Sequence, residues 1–375
     1  VAPLHSEKAI FENAAKLNYL INMTKPKIAT LIFLASLGMT SLCLVSLVGC
    51  GIPNKNPSVY EKQDDKMEQA KRTIVGKLSG KTIFLADPNR APMPAISSSG
   101  VVKDGQALAD FKINTTPGNP DARSYRRKFG LLIPATNTSM EHELWSIIFD
   151  NQQNGLDGVG IHVANIITPK TKLQTDADLD VYKTQFIDGL NIAIDQVALA
   201  QPEYLIMGMS LEHILFGMDE IRGLMTKIER QNPYSWATWH EAADAALKKY
   251  KAKRIGLISP FSAKGNANAK KMFEDLGYEV VTTFGFACAN AYDIAHIPDS
   301  AKEEAILKHI AIPENKLDAV LQLGTNMSLI NVTEKLEKKI GIPILGINAV
   351  TFWYALRENG FEKPLVKAGR LAREY

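Results

Sequence analysis

Two stretches of this chain repeat one another, and the repeat limits the architectures it can adopt. RKFGLLIP at 127–134 parallels KRIGLISP at 253–260, and LIMGMS at 205–210 parallels LQLGTN at 321–326. Each half opens with a basic-flanked strand that stops at proline. Each later has a strand that stops at glycine and small polar residues. Strand-length apolar runs stand at 129–133, 159–167, 204–207, 255–258, 279–283, 319–323 and 343–347. Helical patterns separate them at 139–150, 176–200, 217–230, 236–250, 267–276, 301–309, 328–340 and 349–359. Short, nearly all-apolar strands alternating with helices predict parallel sheets covered on both faces. The fold expected is therefore α/β, with two pseudo-symmetric lobes: 127–232 with 341–375, and 233–340. Ligands of open α/β sheets bind beyond the carboxyl ends of the strands. The ends at Pro134, Gly208, Pro260 and Gly324 should then face one cleft between the lobes.

The chain ahead of 127 reads differently. Lys25 and Lys27 precede an uncharged apolar run at 28–48, closed by Leu47-Val48-Gly49-Cys50. A basic segment, an apolar core and a small residue at its end form a secretory signal. The last four residues resemble the lipobox of bacterial lipoproteins, which implies cleavage before Cys50 and acylation of it. Gly51 after the cysteine resembles lipoproteins passed on to the outer membrane. Met23 reads as the start, which makes 1–22 an upstream extension and 23–49 the signal peptide. The alternative is a single transmembrane anchor, because the run is long enough to span a bilayer. Both readings export the C-terminal part of the chain, since the lysines precede the apolar run and stay cytoplasmic. Residues 50–126 are rich in proline and turn residues, as in TTPGNPDARS, and predict a largely irregular linker with a polar helix at 61–77 and a strand at 81–85.

Of the three cysteines, Cys43 lies in the signal and Cys50 is the proposed lipid site, leaving Cys288 alone in the folded part. One thiol makes no internal disulfide, so stability must come from a core. No His/Cys cluster has zinc-ligand spacing, and no metal or other cofactor is expected. With 43 basic and 40 acidic residues, a net charge of +3 and no basic stripe, nucleic-acid binding has no support.

The segments GLLIPATNTSMEHEL, MGMS, KRIGLISPF, LQLGTN and PILGINAVTFWYALRENG resemble the aspartate/glutamate racemase superfamily. Within it they are most similar to the branch of maleate cis-trans isomerases and arylmalonate decarboxylases, over about 127–375. The resemblance implies a cofactor-independent enzyme with its site between two lobes, acting on a small carboxylic acid through cysteines at equivalent strand ends. Those cysteines should fall within Gly208-Met209-Ser210 and Gly324-Thr325-Asn326, and neither holds one.

The resemblance still implies a carboxylate cradle: Asn137 in PATN, Ser210, Thr325, Asn326, Ser259 of the ISPF motif, and Asn290. Asn137 also reads as part of a helix N-cap, and Phe261 stands where the isomerases carry tyrosine. For proton transfer the nearby groups are Glu212 and His213, just past Ser210, with His240 as a weaker candidate. Their plainer reading is a helix cap and packed histidines. Trp236, Trp239 and Trp353, and Met207, Met209 and Met218, read as packing. Two functions are consistent with these residues: an exported, lipid-anchored isomerase or decarboxylase working through an enolate-like intermediate without a thiol, or a carboxylate-binding lipoprotein that kept the cleft and lost the chemistry. A small carboxylate and the membrane are the expected partners, with homo-oligomerisation left open.

Overall fold

Eight parallel strands in two sheets of four carry the fold, each sheet built in the same order. A computed structural model describes residues 72–75, 78–79, 81–85, 102–104, 106–107, 121–167, 176–230, 232 and 234–375. The signal and anchor at 23–49, Cys50 and the extension at 1–22 lie outside them. The described residues all fall in one compact unit of the chain.

The first sheet comprises β1 (Arg127–Pro134), β2 (Val159–Ile166), β3 (Tyr204–Met207) and β4 (Trp236–Ala237), in spatial order β2-β1-β3-β4. The second comprises β5 (Arg254–Ser259), β6 (Glu279–Gly285), β7 (Ala319–Gln322) and β8 (Ile344–Gly346), in the matching order β6-β5-β7-β8. Every pairing in both sheets is parallel. Parallel neighbours need long crossovers, and helices supply most of them. These are α1 (Met140–Asp150), α2 (Asp176–Ala198) and α3 (Gly217–Glu229) in the first half. Then come α4 (Trp239–Lys249) between the sheets, α5 (Ala263–Asp275), α6 (Asp299–Ala305) and α7 (Thr333–Ile340) in the second, and finally α8 (Ile347–Glu358) and α9 (Gly369–Glu374).

The central strands are buried on both faces: all four residues of β3 and of β7 are inaccessible, whereas the edge strands β2 and β6 are partly exposed. The repeated glycine has a packing reason in both halves. A Cβ on Gly130 would come within 2.6 Å of Leu205 and 2.9 Å of Val197 on α2, and one on Gly256 within 2.6 Å of Ile310. Each sheet thus lets its covering layer approach the central strand where the side chain is missing.

Several boundaries differ from the sequence reading. Trp236 was expected to open a helix, but Trp236–Ala237 is the last strand of the first sheet and α4 begins at Trp239. Two apolar residues followed by threonine are too short a run to stand out as a strand. The expected lobe limits at 233 and 341 also change, because β4 pairs with β3 in the first sheet and β8 with β7 in the second. Helix α8 then crosses back to the first sheet, where Phe352 meets Phe129 edge-on at 6.0 Å. Its burial on nearly every face explains why it is apolar all round. The helix expected at 328–340 starts at Thr333, and α6 ends in one π-helical turn, Ile306–Ile310.

The stretch expected as an irregular linker holds two hairpins. Arg72–Val75 pairs antiparallel with Thr82–Leu85, so the helix expected at 61–77 does not extend through 72–75. Val102–Lys103 pairs with Gln106–Ala107. The first hairpin is docked on the domain: Leu78 N and Ser79 N donate to Glu358 Oε1 at 2.6 and 3.1 Å, and Ser79 Oγ donates to Glu358 Oε2. Among the described residues no helix is long and apolar enough to cross a membrane.

Candidate functional site

The four repeated strand ends meet in a crossed arrangement. The end of β1 touches the end of β7, and the end of β3 touches the end of β5.

At the first crossing β1 turns at Pro134, whose carbonyl accepts from Asn137 N at 2.8 Å. Asn137 Oδ1 then accepts from Ser139 N and Met140 N, both at 3.0 Å, and so caps the first turn of α1. Its Nδ2 donates across the lobe junction to Thr325 Oγ1 at 2.9 Å. Thr138 N donates to Asn326 Oδ1 at 3.0 Å, while Asn326 Nδ2 donates to Thr136 O at 3.0 Å and Ala291 O at 3.2 Å. Ser139 Oγ donates to Asn326 O at 2.9 Å. Gly324, at φ +85°, makes the turn that carries Thr325 and Asn326 here, a conformation glycine adopts freely. Gln322 braces that turn by donating from Nε2 to Leu323 O and Gly324 O while its Oε1 accepts from Ile347 N. Asn137, Thr325 and Asn326 are buried and joined to one another or to the facing loop.

The second crossing has the opposite character. Ser210 and Glu212 are buried, and Glu212 is fully inaccessible. Neither Glu212 carboxyl oxygen makes a well-directed hydrogen bond among the described residues. Burial pushes this carboxyl from its ordinary 4.5 up to about 7, offset only in part by its own backbone amide and the Ser210 hydroxyl. His213 stacks on Phe261 with ring centroids 4.5 Å apart, and Asn268 Nδ2 donates to its carbonyl at 3.1 Å. Burial pushes the imidazole down to about 4, offset in part by the Ser210 backbone, and its Nδ1 makes no well-directed hydrogen bond among the described residues. Both residues lie in turns ahead of α3, which starts at Gly217, so neither caps nor belongs to a helix.

Ser259 is displaced from the cluster. It is inaccessible, and its hydroxyl donates to Asn266 Oδ1 at 2.7 Å and accepts from Phe261 N at 3.0 Å, holding the turn after β5. Asn290 is exposed, with its backbone and side-chain nitrogens both donating to Asp293 Oδ2. Only the next residue, Ala291, reaches Asn326. His240 faces Glu241, Lys81, Arg222 and Asp244 on another part of the domain, and burial pushes it down to about 4. Trp239 and Trp353 are core residues, as are Met207 and Met218.

Glu143 is a polar residue of the junction that sequence reasoning passed over. It is buried on α1 and accepts from Leu329 N of the other lobe at 3.2 Å. Burial raises its carboxyl to about 7, against the Ser328 and Asn348 side chains, the Leu329 amide and Lys302. A cavity of about 10 Å³ beside it, near Leu329 and Gly346, has room for one water molecule. The signal was available: Met140, Leu144, Ile147 and Ile148 define a buried helix face, and Glu143 lies within it.

The model of the arylmalonate decarboxylase family matches residues 199–372. Among solved structures the chain is similar to a maleate cis-trans isomerase of Nocardia farcinica carrying a covalently bound succinylcysteine intermediate. Identity there is 18%, covering 66% of this chain and 99% of that one, at a TM-score of 0.56. For the maleate isomerase of Pseudomonas putida S16 the values are 13%, 66%, 98% and 0.55. For an arylmalonate decarboxylase they are 12%, 66%, 100% and 0.51. Two lobes with parallel sheets flanked by helices are the fold these structures share with this chain. No curated protein sequence matches it.

Proposed function

We propose that this chain is an exported, lipid-anchored isomerase or decarboxylase that acts on a small carboxylic acid through an enolate-like intermediate without using a thiol. The observation that carries the reading is Glu212: a buried carboxyl with no well-formed hydrogen bond, poised near 7 at a strand end beside the lobe junction. An unpaired buried carboxyl is costly for folding, and a pKa matched to neutral pH is what a proton-transfer group needs. In its protonated form Glu212 delivers a proton to the carbanionic carbon of the enolate; as carboxylate it accepts one from the carbon beside a carboxyl group. His213 is neutral at pH 7 and supplies an imidazole rather than a positive charge. Asn137, Ser210 and Thr325 offer the amide and hydroxyl donors for the substrate carboxylate and the developing oxyanion.

The isomerase of Nocardia farcinica forms a cysteine adduct, whereas Met209 and Thr325 stand where the family resemblance places cysteines in this chain. Cys288 is no substitute. It follows β6, its amide donates to Pro260 O at 2.9 Å, and burial raises its thiol above the ordinary value. A thiol held protonated is a poor nucleophile.

A second reading is a carboxylate-binding lipoprotein, consistent with Met209 and Thr325 standing where the resemblance places cysteines. The deciding experiment incubates the chain with maleate, other dicarboxylates and aryl malonates while following product formation and thermal stabilisation. Turnover that Glu212→Gln reduces by ~10²–10⁴-fold supports the enzyme. Stabilisation without turnover in any of them supports the binding protein.

A further inference from the structure

At the amino end of the first sheet, opposite the strand ends of the lobe junction, lies a cavity of about 220 Å³. Tyr204 opens β3 and Trp236 opens β4, and both line it, together with Tyr234 and with Tyr354 from α8. Two carboxylates, Glu229 and Glu358, complete the wall, and Trp236 Nε1 donates to Glu229 Oε1 at 3.3 Å. The docked hairpin closes one side through Ser79 and Lys81.

One polar group here lacks a partner. Tyr204 is 1% exposed. Its neighbours on that side are the Glu358 and Glu241 carboxylates and Tyr354, which with burial raise its phenol well above the usual range. Asn232 Nδ2 is buried and unpartnered among the described residues. Polar groups buried without partners are uncommon and call for an explanation.

We infer that this cavity is a second binding site, for a small organic ammonium carrying a hydroxyl or carbonyl oxygen. Aromatic faces around a space bounded by carboxylates attract a desolvated cation through both the ring quadrupoles and charge. The wall's two carboxylates outnumber its one ammonium, Lys81, which is 3.7 Å from Glu229 and 3.0 Å from Glu241. An anion would be repelled, and a neutral apolar molecule would leave Asn232 unpaired. The oxygen of the ligand accepts from Asn232 Nδ2. The volume suits a compact molecule rather than one filling the ~300–1,000 Å³ of ordinary ligand pockets.

The test is calorimetric titration of the full chain with choline and with 3,3-dimethylbutan-1-ol, its neutral carbon isostere. Choline should bind saturably, and the isostere at least about tenfold more weakly. Glu229→Gln, at a half-exposed site, should weaken choline about tenfold while leaving the thermal melt unchanged. Lys81→Ala should tighten it by removing a competing positive charge. Equal binding of the two probes, or no binding to the wild type at 10 mM, overturns the inference. Binding that appears only in Lys81→Ala overturns it as well, because the cage would then serve the chain's own lysine.

Discussion

Replacing Glu212 by glutamine separates a structural carboxyl from a functional one, because the two roles predict opposite effects on stability. The Glu212 carboxyl is raised from 4.5 to about 7, so the folded state holds a proton that the unfolded chain has released. A group raised on folding contributes stability that is fully present below its unfolded value and is lost as the pH climbs through its folded one. The loss runs from about pH 4.5 to 7. At 1.36 kcal/mol per unit, wild type forfeits about 3 kcal/mol by pH 8 and under ~1 kcal/mol at pH 5. Glutamine has the same shape and no charge to bury, and Glu212 has no well-formed hydrogen bond to lose. Glu212→Gln should therefore match wild type within ~1 kcal/mol at pH 5 and exceed it by about 3 kcal/mol at pH 8. Urea unfolding followed by circular dichroism at the two pH values measures both differences. Turnover, if glutamate is the proton-transfer group, should fall by ~10²–10⁴-fold in the same variant. A more stable but inactive variant is the signature of a site held at a cost to folding. Should glutamine destabilise the chain at pH 8, the carboxylate would be making a structural contact, and its catalytic role would fail.

Three further perturbations probe other parts of the reading. Asn326→Ala removes the acceptor of Thr138 N and the donor to Thr136 O and Ala291 O, and should cost about 2–3 kcal/mol in urea unfolding; a change under ~0.5 kcal/mol would mean the lobes are not held there. Cys50→Ala should abolish lipid attachment and processing in cells, read by the mass of the mature chain, and an uncleaved, unacylated wild type would promote the transmembrane anchor instead. Cys288→Ser should leave activity within about twofold, since only the backbone amide of half-buried Cys288 reaches the end of β5 and burial raises its thiol; iodoacetamide inactivation mapping to Cys288 would overturn the thiol-free account.

The sheets were legible because their central strands are short, apolar and buried on both faces, and the duplicated glycine and proline positions showed that the two halves correspond. What escaped was non-local. Trp236–Ala237 becomes a strand only because β3 lies beside it, a fact its own two residues do not carry. The return of α8 to the first sheet is likewise fixed by Phe129 and Phe352, which are far apart in sequence. Among the candidate residues that the resemblance implied, Asn137, Thr325 and Asn326 lie just after strand ends, and the structure brings them together. Ser259 was misplaced for the same reason: its position at the end of β5 is equivalent, but its hydroxyl is taken by Asn266 and the Phe261 amide. Position at a strand end selects candidates, and local hydrogen-bond competition decides among them.

The two crossings of this duplicated fold are unequal in how far their polar groups are satisfied. Between β1 and β7 the polar side chains are satisfied by each other: Asn137 by Thr325, and Asn326 by Thr136, Thr138 and Ala291. A carboxylate entering there must replace bonds already made, so its net gain is small unless its charge strengthens them. Binding at that crossing is therefore coupled to loosening of the lobe junction. Between β3 and β5 the Glu212 carboxyl and the His213 Nδ1 have no such partners to give up. A substrate that pairs with them gives up only the weak contacts to Ser210 and the Glu212 amide, and relieves part of the burial penalty already present in the folded protein. On the proposed reading, recognition with release of the junction falls to the first crossing and proton transfer to the second. A duplicated scaffold that evolved one reaction rather than a symmetric pair would be expected to divide its two equivalent corners in this way.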